Sequence, residues 1–291
     1  MALYWTLRLT IWVLGRVPLR VSYAIARAGG IATFYLWPGG RRRCIRNMLH
    51  VTGGDPARSR ALARRSFAYY VVYLVDFLRF GTMSPGDVLK RVDFDEWSRI
   101  DEERAGNGII MVTMHFGNWD FAGAAIAEHG VPISVVADTF AHRGTNDLII
   151  GARERLGMHI VPADRMATGI LRALRRDDVV ALLIDIPQGQ SGVEVEFFDG
   201  TVSVPDGPAR LALRTGAVLM TGGVVRLGPT SPRFEGMAKR VPFAASGDQE
   251  RDVRDLTQAT MRQLEEMVRR NPDQWYIFRS LWLDDRAEEV A

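Results

Sequence analysis

One cysteine, Cys44, stands in 291 residues, so neither an internal disulfide nor a multi-cysteine zinc site can be built. The five histidines, at 50, 115, 129, 142 and 159, form no HExxH or His–Cys grouping. No metal or other cofactor is therefore expected. Long apolar runs are also missing: the longest uncharged N-terminal stretch, 28–40, falls short of the roughly 20 residues that span a bilayer. No charged leader opens onto an unbroken apolar core with a small-residue cleavage site, which argues against a signal peptide. There is no P-loop, no internal repeat and no low-complexity tract. The nearest approach to a hydrolase elbow is Gly189-Gln-Ser191-Gly192-Val193, which lacks the final glycine. Gly106-Asn-Gly108 opens like a dinucleotide fingerprint, but Met111 takes the third glycine's place and the motif precedes a strand instead of following one.

What is present suits a globular chain: 47% hydrophobic and 24% charged residues are enough to bury a full core. The net charge of +3 conceals an asymmetry. Residues 1–91 hold 15 Lys/Arg against 3 Asp/Glu, a balance of +12, which leaves −9 on residues 92–291. A localised positive surface suits anionic lipid headgroups or nucleic acid. At the N-terminus, Arg16, Arg20 and Arg27 are spaced to share one helical face among Leu, Ile, Val, Trp and Tyr. Pro18 should split the segment in two. Such a basic, aromatic, amphipathic hairpin either lies in a membrane interface or packs on its own protein. The Arg41, Arg42, Arg43, Arg46 cluster that follows favours the membrane, and nucleic acid is not expected as a partner. The expected division is an interfacial helical segment at 1–55 and an α/β domain at 56–291.

Residues 56–80 read as a long helix. From about residue 105, short apolar runs alternate with helical stretches. Strands are expected at 109–114, 133–137, 159–162, 179–185, 193–198 and 217–225, with helices at 119–128, 145–156, 167–176, 208–215 and 248–270. This alternation implies an α/β fold: a mostly parallel central sheet flanked by helices, behind the N-terminal hairpin.

The informative stretch is Gly108-Ile-Ile-Met-Val-Thr-Met-His115-Phe-Gly-Asn-Trp-Asp120. A buried strand runs into His115, then a Gly117–Asn118 turn, then a helix that Asn118 can cap. His115 thus stands at the carboxyl end of a strand, where open α/β sheets place their ligands. Asp120, in the first helical turn, is close enough to fold back on the imidazole, fix its tautomer and leave the other nitrogen as a general base. As bare chemistry His-x4-Asp is a weak signal, because a capping Asp near a structural His gives the same spacing. Glu194 and Glu196 share one strand face and read as solvated. His50, His129, His142 and His159 read as structural or exposed, and Trp275 and Trp282 as packing or interface anchors.

HFGNWD (115–120) resembles the His-x4-Asp/Glu block of the lipid A late acyltransferase and phosphatidylinositol mannoside acyltransferase family, within the glycerolipid acyltransferases. RGTNDLIIGARERLGMHIVP (143–162), LLIDIPQGQSGVEVEFFDG (182–200), GPARLALRTGA (207–217) and PDQWYIFRSLW (272–282) resemble further blocks in the same order. The resemblance implies acyl transfer from acyl-CoA or acyl carrier protein to a hydroxyl of an anionic glycolipid or phospholipid, at the cytoplasmic face of the inner membrane. It implies His115 as base with Asp120 as its orienting partner, and Arg153 as the holder of an anionic substrate group. Asp138 and Asp185 fall where the mannoside acyltransferases carry acidic groups that shape the site. Where the family usually has Asp-Arg-Asp after the later strand, this chain has Asp185-Ile186-Pro187. Outside the resemblance, a lipid hydrolase and a non-enzymatic basic membrane-binding protein are the competing readings.

Overall fold

The computed structural model describes residues 1–84, 86–104, 106–186 and 192–290. Four helices lead the chain: α1 (Ala2–Arg16), α2 (Leu19–Leu36), α3 (Pro38–Thr52) and α4 (Pro56–Arg79). Pro18 separates the first two because its ring cannot sit inside a helix. Asp55 caps α4 by accepting from the Ala57 and Arg58 amides at 3.0 Å each. α2 lies so close on α4 that a Cβ at Gly30 would sit 2.4 Å from the Phe67 carbonyl oxygen. Glycine is what permits that approach.

The rest of the chain builds the sheet and its covers. In order come β1 (Val92–Asp93), α5 (Trp97–Glu103), β2 (Ile109–Thr113), α6 (Trp119–Glu128), β3 (Ile133–Ala137), α7 (Arg143–Arg155), β4 (Met158–Pro162), α8 (Met166–Arg175) and β5 (Val179–Leu183). Then follow β6 (Val193–Phe197), β7 (Gly200–Val204), α9 (Gly207–Thr215), β8 (Val218–Arg226), β9 (Phe234–Arg240), α10 (Gln249–Arg270) and α11 (Leu283–Val290). Seven strands form one sheet in the order β1-β9-β8-β2-β5-β3-β4, and every neighbouring pair is parallel except β8–β9. β2 is central and buried on both faces. Ile110 and Val112 enter one core, with α4, α9 and α10, and Ile109 and Met111 enter the other, with α5 and α6. β6 and β7 make a separate antiparallel hairpin. Gln258 of α10 clamps the Glu196 backbone, accepting from its amide at 2.8 Å and donating to its carbonyl at 3.0 Å.

The mostly parallel sheet, its flanking helices and the N-terminal hairpin are as the sequence implied. Additional elements are α3, α5, α11, β1, β7 and β9. α3 carries the Gly39–Gly40 pair and four arginines, which obscure its helical period. β9 is Phe-Glu-Gly-Met-Ala-Lys-Arg, with little of the apolar alternation that marks a strand. Arg41 to Arg46 do not form a uniform outward patch, because Arg41 lies over the Phe34 ring and Arg46 reaches Asp285 at 3.8 Å. Among the described residues, no helix is long and apolar enough to cross a membrane.

Candidate active site

The site begins with strand register. β2 and β5 run parallel side by side, with Thr113 opposite Leu183. Two residues beyond each strand end stand His115 and Asp185, so the sheet itself brings them together. The Asp185 carboxylate accepts from the His115 backbone amide at 2.9 Å and lies 2.8 Å from Nδ1 of the ring. Trp275 donates from Nε1 to the same carboxylate at 3.1 Å. Asp185 is fully buried, whereas the imidazole is 28% exposed, so the pair opens to solvent only on the histidine side. Burial opposes the imidazolium, but the Asp185 charge and hydrogen bond outweigh it, and the His115 pKa is raised above the ordinary histidine value. Burial also opposes Asp185 ionisation, and His115 with the other donors outweighs it, so the carboxyl is held below its usual range. An ionised Asp185 places the proton of neutral His115 on Nδ1. Nε2 is then left as the acceptor, without a hydrogen bond to any described residue.

The turn after His115 is held from the far end of the chain. Gly117 sits at φ +61°, and a Cβ there would lie 1.8 Å from the Val224 carbonyl oxygen, so no other residue fits. The Gly117 amide donates to the Gln274 carbonyl at 2.7 Å, and the Tyr276 amide donates to the His115 carbonyl at 2.7 Å. The Asn118 amide donates to the Val224 carbonyl at 2.9 Å. Asn118 caps α6 as its type and position implied, accepting from the Phe121 amide at 3.0 Å.

Asp120 is not the partner of the imidazole. Its carboxylate accepts from Tyr73 Oη at 2.8 Å, from Arg153 Nε at 2.7 Å and from Arg153 Nη2 at 3.3 Å. Asp120 stands in the first turn of α6, where Tyr73 of α4 and Arg153 of α7 reach its carboxylate. The expected His115–Asp120 contact is thus replaced by His115–Asp185, with Asp120 as a bracket between α6 and α7. Arg153 is correspondingly committed: two of its N–H groups are on Asp120 and its guanidinium lies 4.8 Å from the Phe77 ring centre. Asp138, after β3, is exposed and makes no hydrogen bond to a described residue. It stands at the same sheet edge, one strand beyond β5, but is not joined to the other site residues.

Sequence reasoning missed Tyr73, Trp275 and a buried cluster behind the turn. Asp76 of α4 is fully buried, ion-pairs with Arg226 at the end of β8, and accepts from Asn118 Nδ2 at 3.0 Å and from the Tyr23 hydroxyl of α2. The one available hint was Asp76 itself, a charge inside an otherwise apolar helical stretch. Other side chains fall as read. Glu194 and Glu196 are exposed, His142 caps α7, and His50 stacks on Trp282 with ring centres 4.0 Å apart. Residues 189–191 of the near-elbow, with Ser191, and Pro187 lie outside the described residues.

A His–Asp pair at the carboxyl edge of a parallel sheet, followed by a helix N-terminus, is an arrangement suited to acyl transfer by an α/β enzyme. The family model for bacterial lipid A biosynthesis acyltransferases matches residues 1–284, and the chain belongs to that family. It is 29% identical over 290 residues to a phosphatidylinositol mannoside acyltransferase of Mycolicibacterium smegmatis, covering 96% of this chain and 91% of that protein. A phosphatidylinositol mannoside acyltransferase of Mycobacterium tuberculosis (strain CDC 1551 / Oshkosh) is 28% identical over 266 residues, covering 88% and 82%. The protein is an acyltransferase.

Proposed function

We propose that the enzyme moves a fatty acyl group from acyl-CoA or acyl carrier protein to a hydroxyl of an anionic glycolipid of the phosphatidylinositol mannoside type. The observation that carries this reading is the His115–Asp185 pair with Nε2 left open. His115 Nε2 takes the proton of the acceptor hydroxyl as its oxygen attacks the thioester carbonyl. The C–S bond then breaks, and the departing thiolate recovers that proton. A covalent acyl-enzyme is unnecessary, because a thiolate leaves readily. Beside the pair, an apolar crevice runs along the sheet under α6, lined by Met111, Thr113, Trp119, Gly222, Gly223 and Met237. Trp119 also packs edge-on to His115, with ring centres 5.2 Å apart, so one side chain borders both the crevice and the imidazole. That crevice suits the fatty chain, once Met111 and Met237 shift their flexible side chains. The exposed Asp138 is positioned to meet acceptor hydroxyls at the same edge. Asp120 and Arg153 hold the α6 start, and the three other N–H donors of Arg153 would serve an anionic group brought there.

The acceptor lies in the membrane, and residues 1–55 would serve as the interfacial unit for the 56–291 catalytic domain. Trp5, Leu9, Trp12, Ile25 and Leu36 are all more than half exposed on α1 and α2, beside the exposed Arg8, Arg16, Arg20 and Arg27. Apolar and cationic groups on one exposed surface are suited to an anionic bilayer face. The topology consistent with a thioester donor is the cytoplasmic face of the inner membrane. The test is incubation with labelled palmitoyl-CoA and vesicles carrying phosphatidylinositol mannosides or lipid A precursors, followed by product mass spectrometry. Acylated mannoside supports the reading, acylated lipid A precursor moves the acceptor class, and free fatty acid alone makes the enzyme a thioester hydrolase.

A further inference from the structure

Acyl transfer needs a donor for the carbonyl oxygen, which gains negative charge as the acceptor adds. None of the side chains placed above supplies one. Thr113 closes β2, two residues before His115, and is 6% exposed. Its hydroxyl Oγ1 is buried and makes no hydrogen bond to a described residue. Buried hydroxyls nearly always have a partner, so an orphan needs a reason. Thr113 lines the same crevice as Trp119, which in turn packs on His115. On β8, opposite the hydroxyl, stands Gly223, and a Cβ there would lie 3.5 Å from Oγ1. The Met267 methyl, 3.5 Å from that position, and the Phe116 ring, 3.9 Å from it, are the other neighbours there, and neither offers the hydroxyl a hydrogen-bond partner. An unsatisfied donor and the tryptophan that packs on the imidazole thus line one crevice.

We infer that Thr113 is a further catalytic residue, whose hydroxyl donates to the carbonyl oxygen of the acyl thioester; this rests on the acyl-transfer reading above. As the acceptor oxygen bonds to the carbonyl carbon, its proton passes to His115 Nε2 and the C=O electron pair moves onto the oxygen that Thr113 holds. When the C=O re-forms, the C–S bond breaks and His115 returns the proton to the sulfur. Before substrate arrives the hydroxyl has no partner among the described residues, so its hydrogen bond forms only in the loaded site.

The test is Thr113→Val, which keeps shape and removes the hydroxyl, beside Thr113→Ser, which keeps it. Removing one such donor typically lowers kcat by about 10²–10³. The valine variant should show that loss with KM for palmitoyl-CoA changed less than about threefold, while the serine variant stays within about fivefold of wild type. The melting temperature of Thr113→Val should equal or exceed that of wild type, because an unsatisfied buried group has been removed. A second readout needs no turnover. The ketone analogue of palmitoyl-CoA, with a methylene between carbonyl and sulfur and ¹³C at the carbonyl, should show a lowered carbonyl stretch in wild type that is lost in the valine variant. A valine variant that transfers at the wild-type rate, or an unchanged carbonyl stretch, overturns the inference and leaves the α6 amides as the oxygen's donors. If wild type transfers to no lipid yet the stretch shifts on Thr113→Val, the acceptor reading fails and the Thr113 assignment stands.

Discussion

An imidazole acts as a base only while one nitrogen is free of its proton, and Asp185 decides which nitrogen that is. Its charge also raises the His115 pKa, so the rate should climb with pH as His115 loses its proton. Asp185→Asn removes that charge, and the acid limb of the pH–rate profile should move to lower pH. His115→Ala and Asp185→Asn should each lower transfer by about 10²–10⁴, and the double variant should be little worse than either, because the pair acts as one unit. Additive losses in initial-rate assays would separate the two residues. The same pair sets a stability window. The raised His115 pKa contributes stability that is complete below its unfolded pKa and lost as pH rises through the folded one. The lowered Asp185 pKa contributes stability present above its unfolded pKa and lost as pH falls through the folded one. Melting curves across pH should therefore show the Asp185→Asn deficit as largest in the acidic-to-neutral range between these limits.

Elements, more than single residues, explain what could be read from the chain. The strand–turn–helix around His115 was legible because β2 is an unbroken apolar run and Gly117 and Asn118 are turn and cap types. The partner was not, since the choice between Asp120 and Asp185 depends on β2–β5 register across 70 residues. Five residues in sequence suggested a contact whose place Tyr73 and Arg153 take on the Asp120 carboxylate. Tyr73 and Trp275 were hidden likewise, each arriving from an element distant in the chain. The structure also redirects the expectation for Arg153. Removing one member of a buried pair costs roughly 3–5 kcal/mol, so Arg153→Ala should lower the melting temperature as well as activity. Arg153→Lys keeps the charge but not the two-pronged contact, and should fall between Ala and wild type on both measures. An Arg153→Ala variant with wild-type melting and a raised KM would instead make Arg153 a substrate ligand alone.

For the molecule as a whole, the basic first third of the sequence includes the N-terminal helices, and the lipid contact proposed above is tested on them. Arg20 and Arg27 are exposed on α2, and each cation near an anionic surface contributes about 1 kcal/mol. Replacing both with Ser should weaken sedimentation with anionic vesicles by roughly one to two decades at low salt, following that estimate, with little effect on neutral vesicles. The difference should shrink as salt rises. Unchanged binding to anionic vesicles would leave the apolar side chains as the whole attachment. The hairpin has a second consequence, through Tyr23. Its hydroxyl is part of the closure over Asp76 and Arg226, charges that also hold Asn118 at the catalytic turn. An enzyme trimmed to begin after α2 would therefore not be the same catalyst. Water would reach the Asp76–Arg226 pair, and amide exchange should quicken at residues 115–118, far along the chain from the cut. The helix proposed above to meet lipid also covers the buried Asp76–Arg226 pair, so removing the one opens the other.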